Sequence, residues 1–340
     1  MVSIRRSEPP KFLFLQTNQR CNLKCTHCSY WHNTDSDRAN YLSLEARIAF
    51  LTEFKRIGGQ GMVTCGGEPM LDLEDYFALT SACRRLELCC LSVVNGTRVH
   101  TKQAAERMLL EGPSEITISL DHWNAEDNDR LRGVKGAHLV ASKAVQLLVE
   151  ARAKLSLETP INVMTILSED TWPTLEPFFN YALNTLGADK LKLNLIQPTF
   201  QGRGEDAYFS GSRIKDIDAC LSMVNWCDSL FGIKRNPEWL SDVEMYLRAI
   251  RNPLLGWNSS RGTDRAICNS YDRNIMLDLY GNARLCFSNL FPDIKLTPGE
   301  LEAFWFEESV PIRNCMVGCK QYCGISHSVR KSESTLKEPS

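Results

Sequence analysis

Three cysteines, Cys21, Cys25 and Cys28, lie in one short segment, Gln19-Arg-Cys-Asn-Leu-Lys-Cys-Thr-His-Cys28. Thiolates are soft ligands for zinc and for iron–sulfur clusters. Two chemistries fit the C-x3-C-x2-C spacing. With a fourth ligand such as His27 it makes a zinc site. With three thiolates alone it holds three irons of a four-iron cluster and leaves the fourth iron open to another molecule. A second group follows much later: Cys268, Cys286, Cys315, Cys319 and Cys323.

The elements that must position these groups alternate. Apolar, strand-like runs occur at Phe12–Thr17, Gly61–Cys65, Cys89–Asn95, Glu115–Leu120, Pro160–Leu167 and Lys190–Pro198. Amphipathic stretches separate them at Leu44–Ile57, Leu73–Leu86, Thr101–Glu111, His138–Lys154 and Thr171–Leu186. Ser43 is a good N-cap and Gly58-Gly59 a good stop. Alternating βα units predict an α/β fold with a mostly parallel sheet. Six units are too few for a closed eight-fold barrel and suit an open, partial (β/α)6 barrel. In parallel α/β folds ligands gather at the C-terminal ends of strands, and the cysteine segment directly follows the first run.

Other polar turns occupy the same position on later strands. Cys65-Gly66-Gly67-Glu68-Pro69 follows the second, Asn95-Gly96-Thr97 the third, and Ile118-Ser119-Leu120-Asp121 closes the fourth. By itself a Gly-Gly-Glu-Pro run is a simple turn; at a strand end near three cysteines it reads as a binding element. Glycines permit close backbone approach, and Glu68 is an acceptor for an ammonium.

Together these motifs resemble the radical S-adenosylmethionine (SAM) superfamily over about residues 12–205. The resemblance implies a [4Fe-4S] cluster on Cys21, Cys25 and Cys28, with SAM chelating the open iron through its amino and carboxylate groups. It implies SAM contacts from Gly66, Gly67, Glu68, Pro69, Asn95 and Ser119. His27 falls where the family places a ring beside the adenine, and Arg130 or Arg132 is a cation for the SAM carboxylate. The implied reaction is reductive cleavage of SAM to a 5′-deoxyadenosyl radical, which abstracts a hydrogen atom from a substrate C–H bond. Gln197-Pro198 and Gly202-Arg203-Gly204 resemble the branch with extra clusters.

Cys268-x12-Gly281-x4-Cys286 looks like the opening of the auxiliary-cluster domains called SPASM and twitch. The rest departs from the full SPASM pattern, and five cysteines cannot supply the eight thiolates of two four-iron clusters. One auxiliary [4Fe-4S] cluster is therefore expected, on Cys268, Cys286 and two of Cys315, Cys319 and Cys323; the pair Cys319 and Cys323 is favoured. A structural zinc site is the alternative. The expected organisation is a barrel over 11–205, a helical connection over 206–254, a small auxiliary-cluster domain over 255–328 and a disordered tail over 329–340.

Composition narrows the function. The chain has 340 residues, is 43% hydrophobic and 24% charged, and carries a formal net charge of −2. No basic block suggests a nucleic-acid partner. No run reaches membrane-spanning length and the first ten residues lack a signal peptide's apolar core, so a cytoplasmic enzyme is expected. In such a chain, clustered cysteines indicate metal sites rather than disulfides. Cys65, Cys83, Cys89, Cys90, Cys220 and Cys227 lie outside the motifs, where free cysteine is usually a small buried hydrophobe. Of these, Cys220 and Cys227 are candidate hydrogen-atom donors for an epimerase. An oxidising enzyme needs a base instead, and Asp121, Asp216, Asp218 and Asp228 qualify by residue type.

The leading expectation is an oxidoreductase or epimerase acting in natural-product or ribosomal-peptide maturation by epimerisation, oxidation or cross-linking. A sugar or aminocyclitol dehydrogenase or epimerase is the first alternative. A non-catalytic iron–sulfur or zinc redox sensor is the second. With the first strand near residue 12, no N-terminal leader-binding domain is expected, which keeps a small polar substrate open beside a peptide. A low-potential donor such as flavodoxin or ferredoxin is the expected electron partner.

Overall fold

The computed structural model describes residues 8–34, 37–195, 214–235, 237–251, 270–287 and 291–316. Six parallel strands alternate with helices: β1 (Phe12–Asn18), β2 (Gly61–Gly66), β3 (Cys89–Val94), β4 (Glu115–Ser119), β5 (Ile161–Leu167) and β6 (Lys190–Leu195). The intervening helices are α1 (Leu44–Arg56), α2 (Leu73–Arg85), α3 (Lys102–Leu110), α4 (Ala125–Arg132), α5 (Ala137–Leu155) and α6 (Leu175–Asn180). Three later strands, β7 (Asn274–Leu277), β8 (Asn282–Arg284) and β9 (Ile294–Lys295), complete a nine-stranded sheet in the order β6-β5-β4-β3-β2-β1-β7-β8-β9. The sheet is open, with β6 and β9 at its edges. This is the expected α/β partial barrel.

Local chemistry sets most boundaries. Ser43 caps α1 by accepting from the Ala46 N–H. The expected helix over Thr171–Leu186 breaks into a 3-10 turn, Trp172–Thr174, then α6, then a π-helical turn, Tyr181–Thr185. Pro173 and Pro177 each remove a backbone donor and prevent one continuous α-helix. Helix α4 was not expected. Its signals are conventional: Asn124 accepts from the Glu126 and Asp127 N–H groups, two acids occupy the first turn, and Gly133 ends it in the left-handed region.

Helices α1, α2, α3, α5 and α6 cover one face of the sheet. Ile116, Ile118, Ile161, Val163, Leu191 and Leu193 pack under α3, α5 and α6 in one core. Leu13, Leu15, Met62, Ile275 and Leu277 pack under α1 and α2 in another. Because strand side chains alternate, the other residues of each strand line the concave face. On that face lie Phe14, Gln16, Val63, Leu91 and Val93 toward β1, and Thr117, Ser119, Asn162, Met164, Ile166 and Asn194 toward β6, with Thr117 and Asn162 buried.

The C-terminal segment joins this sheet: β1 pairs in parallel with β7, and β7–β8–β9 are antiparallel. Phe304, Trp305 and Met316 share a core with Phe50, Phe54 and Leu13. A unit this short buries too little surface to stand alone, so it is built onto the barrel edge. Among the described residues no helix is long and apolar enough to cross a membrane. Cys268, Cys319, Cys323, Gln197-Pro198, Gly202-Arg203-Gly204 and the tail over 329–340 lie outside the described residues.

Candidate functional site

The cysteine loop leaves the C-terminal end of β1 and is tied down on two sides. On one side it continues the sheet onto the Gly66-Gly67-Glu68 turn, with Gly67 N–H donating to Asn18 O at 2.8 Å and Glu68 N–H to Arg20 O at 2.7 Å. A Cβ on Gly66 would stand 2.0 Å from Asn18 O, and one on Gly67 would stand 1.9 Å from Arg20 O. The glycines thus admit the backbone of the cysteine loop; the close approach expected toward a ligand is made to the chain itself. On the other side, Lys24 N–H donates to Arg132 O at 3.0 Å and Thr26 N–H to Leu131 O at 2.9 Å, at the end of α4.

Side chains complete the anchorage. Asn95 Nδ2 donates to Asn22 Oδ1 at 2.7 Å, and Asn22 Nδ2 donates to Thr97 Oγ1 at 3.0 Å. Glu68 accepts from the Asn95 N–H at 2.8 Å and from the Met70 N–H at 3.2 Å. Asp72 accepts from Asn18, Arg20 and Arg38. Glu68 is therefore a buried clasp between the ends of β2 and β3. Burial lifts its pKa to about 7 against the pull of those two N–H donors. Pro69 opens the following 3-10 turn and is buried.

The loop brings Cys21, Cys25 and Cys28 together around Leu23, Val134 and Ala137. Cys25 is buried and the other two are partly exposed. Burial raises the Cys21 thiol to about 12 and the Cys28 thiol to about 11, and it raises Cys25 against the opposing charge of Arg132. All three are thus held as thiols until a metal displaces the protons. Three thiols on one loop supply one thiolate for each of three corners of a cubic cluster. The donor set fits a four-iron cluster with one iron left open.

A charged group lies directly behind the loop. Arg132 Nη1 donates to Cys25 Sγ at 3.8 Å, and Arg132 Nε stands 2.7 Å from Asp121 Oδ2. His27 Nδ1 is 4.0 Å from the same oxygen, and burial lowers the imidazole pKa. Arg130 is half exposed and pairs with Asp127 and Asp170. Both arginines offered for the SAM carboxylate are thus paired with acids of this chain. A cation that the sequence reading passed over is Arg98, exposed, within Coulombic reach of Glu68 and without a side-chain partner among the described residues. Its signal was its place directly after the Asn95-Gly96-Thr97 turn. Asn22 and Asp72 were also missed; their roles depend on distant partners. Ser119, at the end of β4, is partly exposed and its hydroxyl has no partner among the described residues.

The two proposed hydrogen-atom donors are placed elsewhere. Cys220 and Cys227 are fully buried in helix Ile217–Leu230, within the apolar core on the outer side of the sheet. Their spacing of seven turns both toward the same packed face. This corrects the donor reading, because a thiol enclosed by apolar side chains cannot meet a substrate in the concave face. The acids have structural partners: Asp216 caps the same helix, Asp218 pairs with Arg248, and Asp228 pairs with Arg235. Of the auxiliary cysteines, Cys286 is buried and Cys315 is exposed on helix Val310–Met316.

Residues 15–177 match the family profile described as the Radical SAM superfamily. That stretch is a radical SAM domain. Such a domain implies SAM and a [4Fe-4S] cluster as cofactors. An AdoMet-dependent heme synthase from Oleidesulfovibrio alaskensis is 27% identical over 211 residues, covering 62% of this chain and 50% of the relative. A PqqA peptide cyclase from Granulibacter bethesdensis is 30% identical over 159 residues, 46% of this chain and 41% of the relative. The matches thus span about half the length of these radical SAM relatives or less. Among solved structures, Streptococcus suis SuiB bound to precursor peptide SuiA covers 92% of this chain and 67% of that chain, with a TM-score of 0.65 and 14% identity. It shares the radical SAM fold.

Proposed function

We propose that this radical SAM enzyme abstracts a hydrogen atom from a peptide substrate held against the concave face of the sheet. When bound and reduced, the cluster supplies the electron that splits SAM into methionine and a 5′-deoxyadenosyl radical, which takes the hydrogen. The chain's own residues do the rest. Cys21, Cys25 and Cys28 would hold three irons of the cluster. The turns at Gly66–Pro69 and Asn95–Thr97, with Ser119 and Arg98, form the rim where SAM would lie. The apolar side chains Phe14, Val63, Leu91 and Val93 exclude water from the reacting centre.

The observation that carries the peptide reading is the uncharged, mixed character of the accessible concave face beside β4–β6. Ser119 and Asn194 are neutral hydrogen-bonding groups next to the apolar Met164 and Ile166, and Lys192 is paired with Glu115. Neutral donors and acceptors suit peptide groups; a polycarboxylate such as a heme precursor calls for unpaired cations. Similarity to a peptide cyclase and the fold shared with a peptide-bound enzyme support this reading. The heme reading has its own support, similarity to a heme synthase over 62% of the chain.

We also propose one auxiliary [4Fe-4S] cluster on Cys268, Cys286, Cys319 and Cys323, with Cys315 as the spare thiol. Four irons per chain rather than eight after anaerobic reconstitution would contradict it.

The substrate class is tested with deuterated extracts. Loaded, reduced enzyme and SAM are incubated with the peptide fraction or the small-molecule fraction of cells grown in deuterium oxide. Deuterium in 5′-deoxyadenosine from the peptide fraction is expected. Deuterium from the small-molecule fraction alone overturns the peptide reading.

A further inference from the structure

We propose that Arg132 and Asp121 act as a matched pair that sets the reduction potential of the cluster through Cys25. The inference rests on the iron–sulfur reading of the cysteine loop. Arg132 closes α4 and reaches back across the loop, its Nη1 donating to Cys25 Sγ at 3.8 Å. Both members of the pair are buried: Arg132 is 7% exposed and Asp121 1%. In such surroundings charges act strongly on one another.

The geometry keeps the two charges fixed. Asp121 Oδ1 accepts from the Ile166 N–H and from Thr165 Oγ1, each at 3.3 Å, and its own N–H donates to Asn128 Oδ1 at 2.9 Å. Its other oxygen faces Arg132 Nε at 2.7 Å. The backbone of Arg132 is held separately, its carbonyl accepting from the Lys24 N–H. Either side chain can therefore be altered while the loop keeps its backbone ties.

Reduction adds one negative charge to the cluster. A hydrogen bond to a ligating sulfur, or a cation beside it, favours the reduced state and raises the potential; a buried anion does the reverse. Arg132 and Asp121 oppose each other and leave a near-neutral pair with its N–H groups toward the sulfur. Arg132→Gln removes the cation and the charged donor and leaves Asp121. Asp121→Asn removes the anion and leaves the guanidinium. The two variants must move the potential in opposite directions. A residue that merely props up the loop gives no such signature, because loosened packing and solvent entry shift both variants the same way.

The test is an anaerobic redox titration of the reconstituted protein, followed by the electron paramagnetic resonance signal of the reduced cluster. Iron content is measured first. Arg132→Gln is expected to fall by at least tenfold in the reduction equilibrium, about 59 mV for a one-electron couple. Asp121→Asn is expected to rise by a similar factor, and Arg132→Lys, which keeps the charge, to lie between Arg132→Gln and the unaltered protein. Shifts of the same sign, or below about threefold in both variants, overturn the pair. If one variant loses its iron, the sign of the other decides alone. Unaltered protein that takes up no iron overturns this inference and the cluster reading together; iron uptake with unmoved potentials overturns the pair only.

Discussion

Gly133 offers a direct test of how the cysteine loop is held. It ends α4 with φ at +67°, and a Cβ there would stand 2.2 Å from Lys24 O. Gly136, three residues on, has φ at +84° and nothing within 4 Å of a Cβ. Alanine at either position incurs the left-handed penalty of about 1–2 kcal/mol. Only at Gly133 must the cysteine loop also retreat, by about 1.2 Å, to reach the 3.4 Å of an ordinary contact. Overpacking of that kind costs about 1–3 kcal/mol. It acts on the segment carrying the Lys24 N–H to Arg132 O bond, between Cys21 and Cys25. Gly133→Ala is therefore expected to unfold at a lower temperature than Gly136→Ala and to hold less iron after reconstitution. Differential scanning fluorimetry and iron and sulfide analysis of the two variants side by side provide the measurement. Equal melting temperatures with full iron loading in both would refute the claim that α4 clamps the loop.

Three further outcomes follow from the same geometry. Asn95→Ala removes the bonds to Asn22 and Thr97 and is expected to make the loaded cluster more labile to chelator, while Thr101→Ala, which only uncaps α3, leaves it unchanged. Both amide atoms of Asn162 lack a hydrogen-bond partner at 1% exposure, so Asn162→Leu is expected to raise stability by about 1–3 kcal/mol and thus the melting temperature; a fall contradicts it. Burial lifts the folded pKa of Glu68 to about 7 from the ordinary 4.5, so its ionisation costs nothing below pH 4.5 and the full penalty above pH 7. In cluster-free protein, Glu68→Gln should therefore gain on the unaltered chain across that window, by about 3 kcal/mol in total. A difference that stays flat with pH refutes the burial argument.

The strands and most helices were legible because βα alternation has a strong period and the caps are local. Ser43 and Gly58-Gly59 bound α1 from sequence alone. Helix α4 was not legible, although Asn124 and Gly133 flank it, because its eight residues carry almost no apolar stripe. The helix expected after β5 failed at two prolines whose effect was underweighted. Of the site, the three cysteines and the strand-end turns were readable because they are contiguous. The roles of Asn22, Asp72, Arg98 and Arg132 were not, since each depends on a partner brought near by folding. The donor reading of Cys220 and Cys227 failed for the same reason. Residue type suggested the chemistry, and the helix buried both thiols on the wrong side of the sheet.

The central claim is that Cys21, Cys25 and Cys28 carry a cluster that cleaves SAM. It is tested by anaerobically reconstituted protein given dithionite and SAM, with 5′-deoxyadenosine measured by mass spectrometry. The account predicts 5′-deoxyadenosine from the unaltered protein and none from Cys25→Ala. Iron-loaded, reduced protein that forms none, or a Cys25→Ala variant that forms as much, would contradict it.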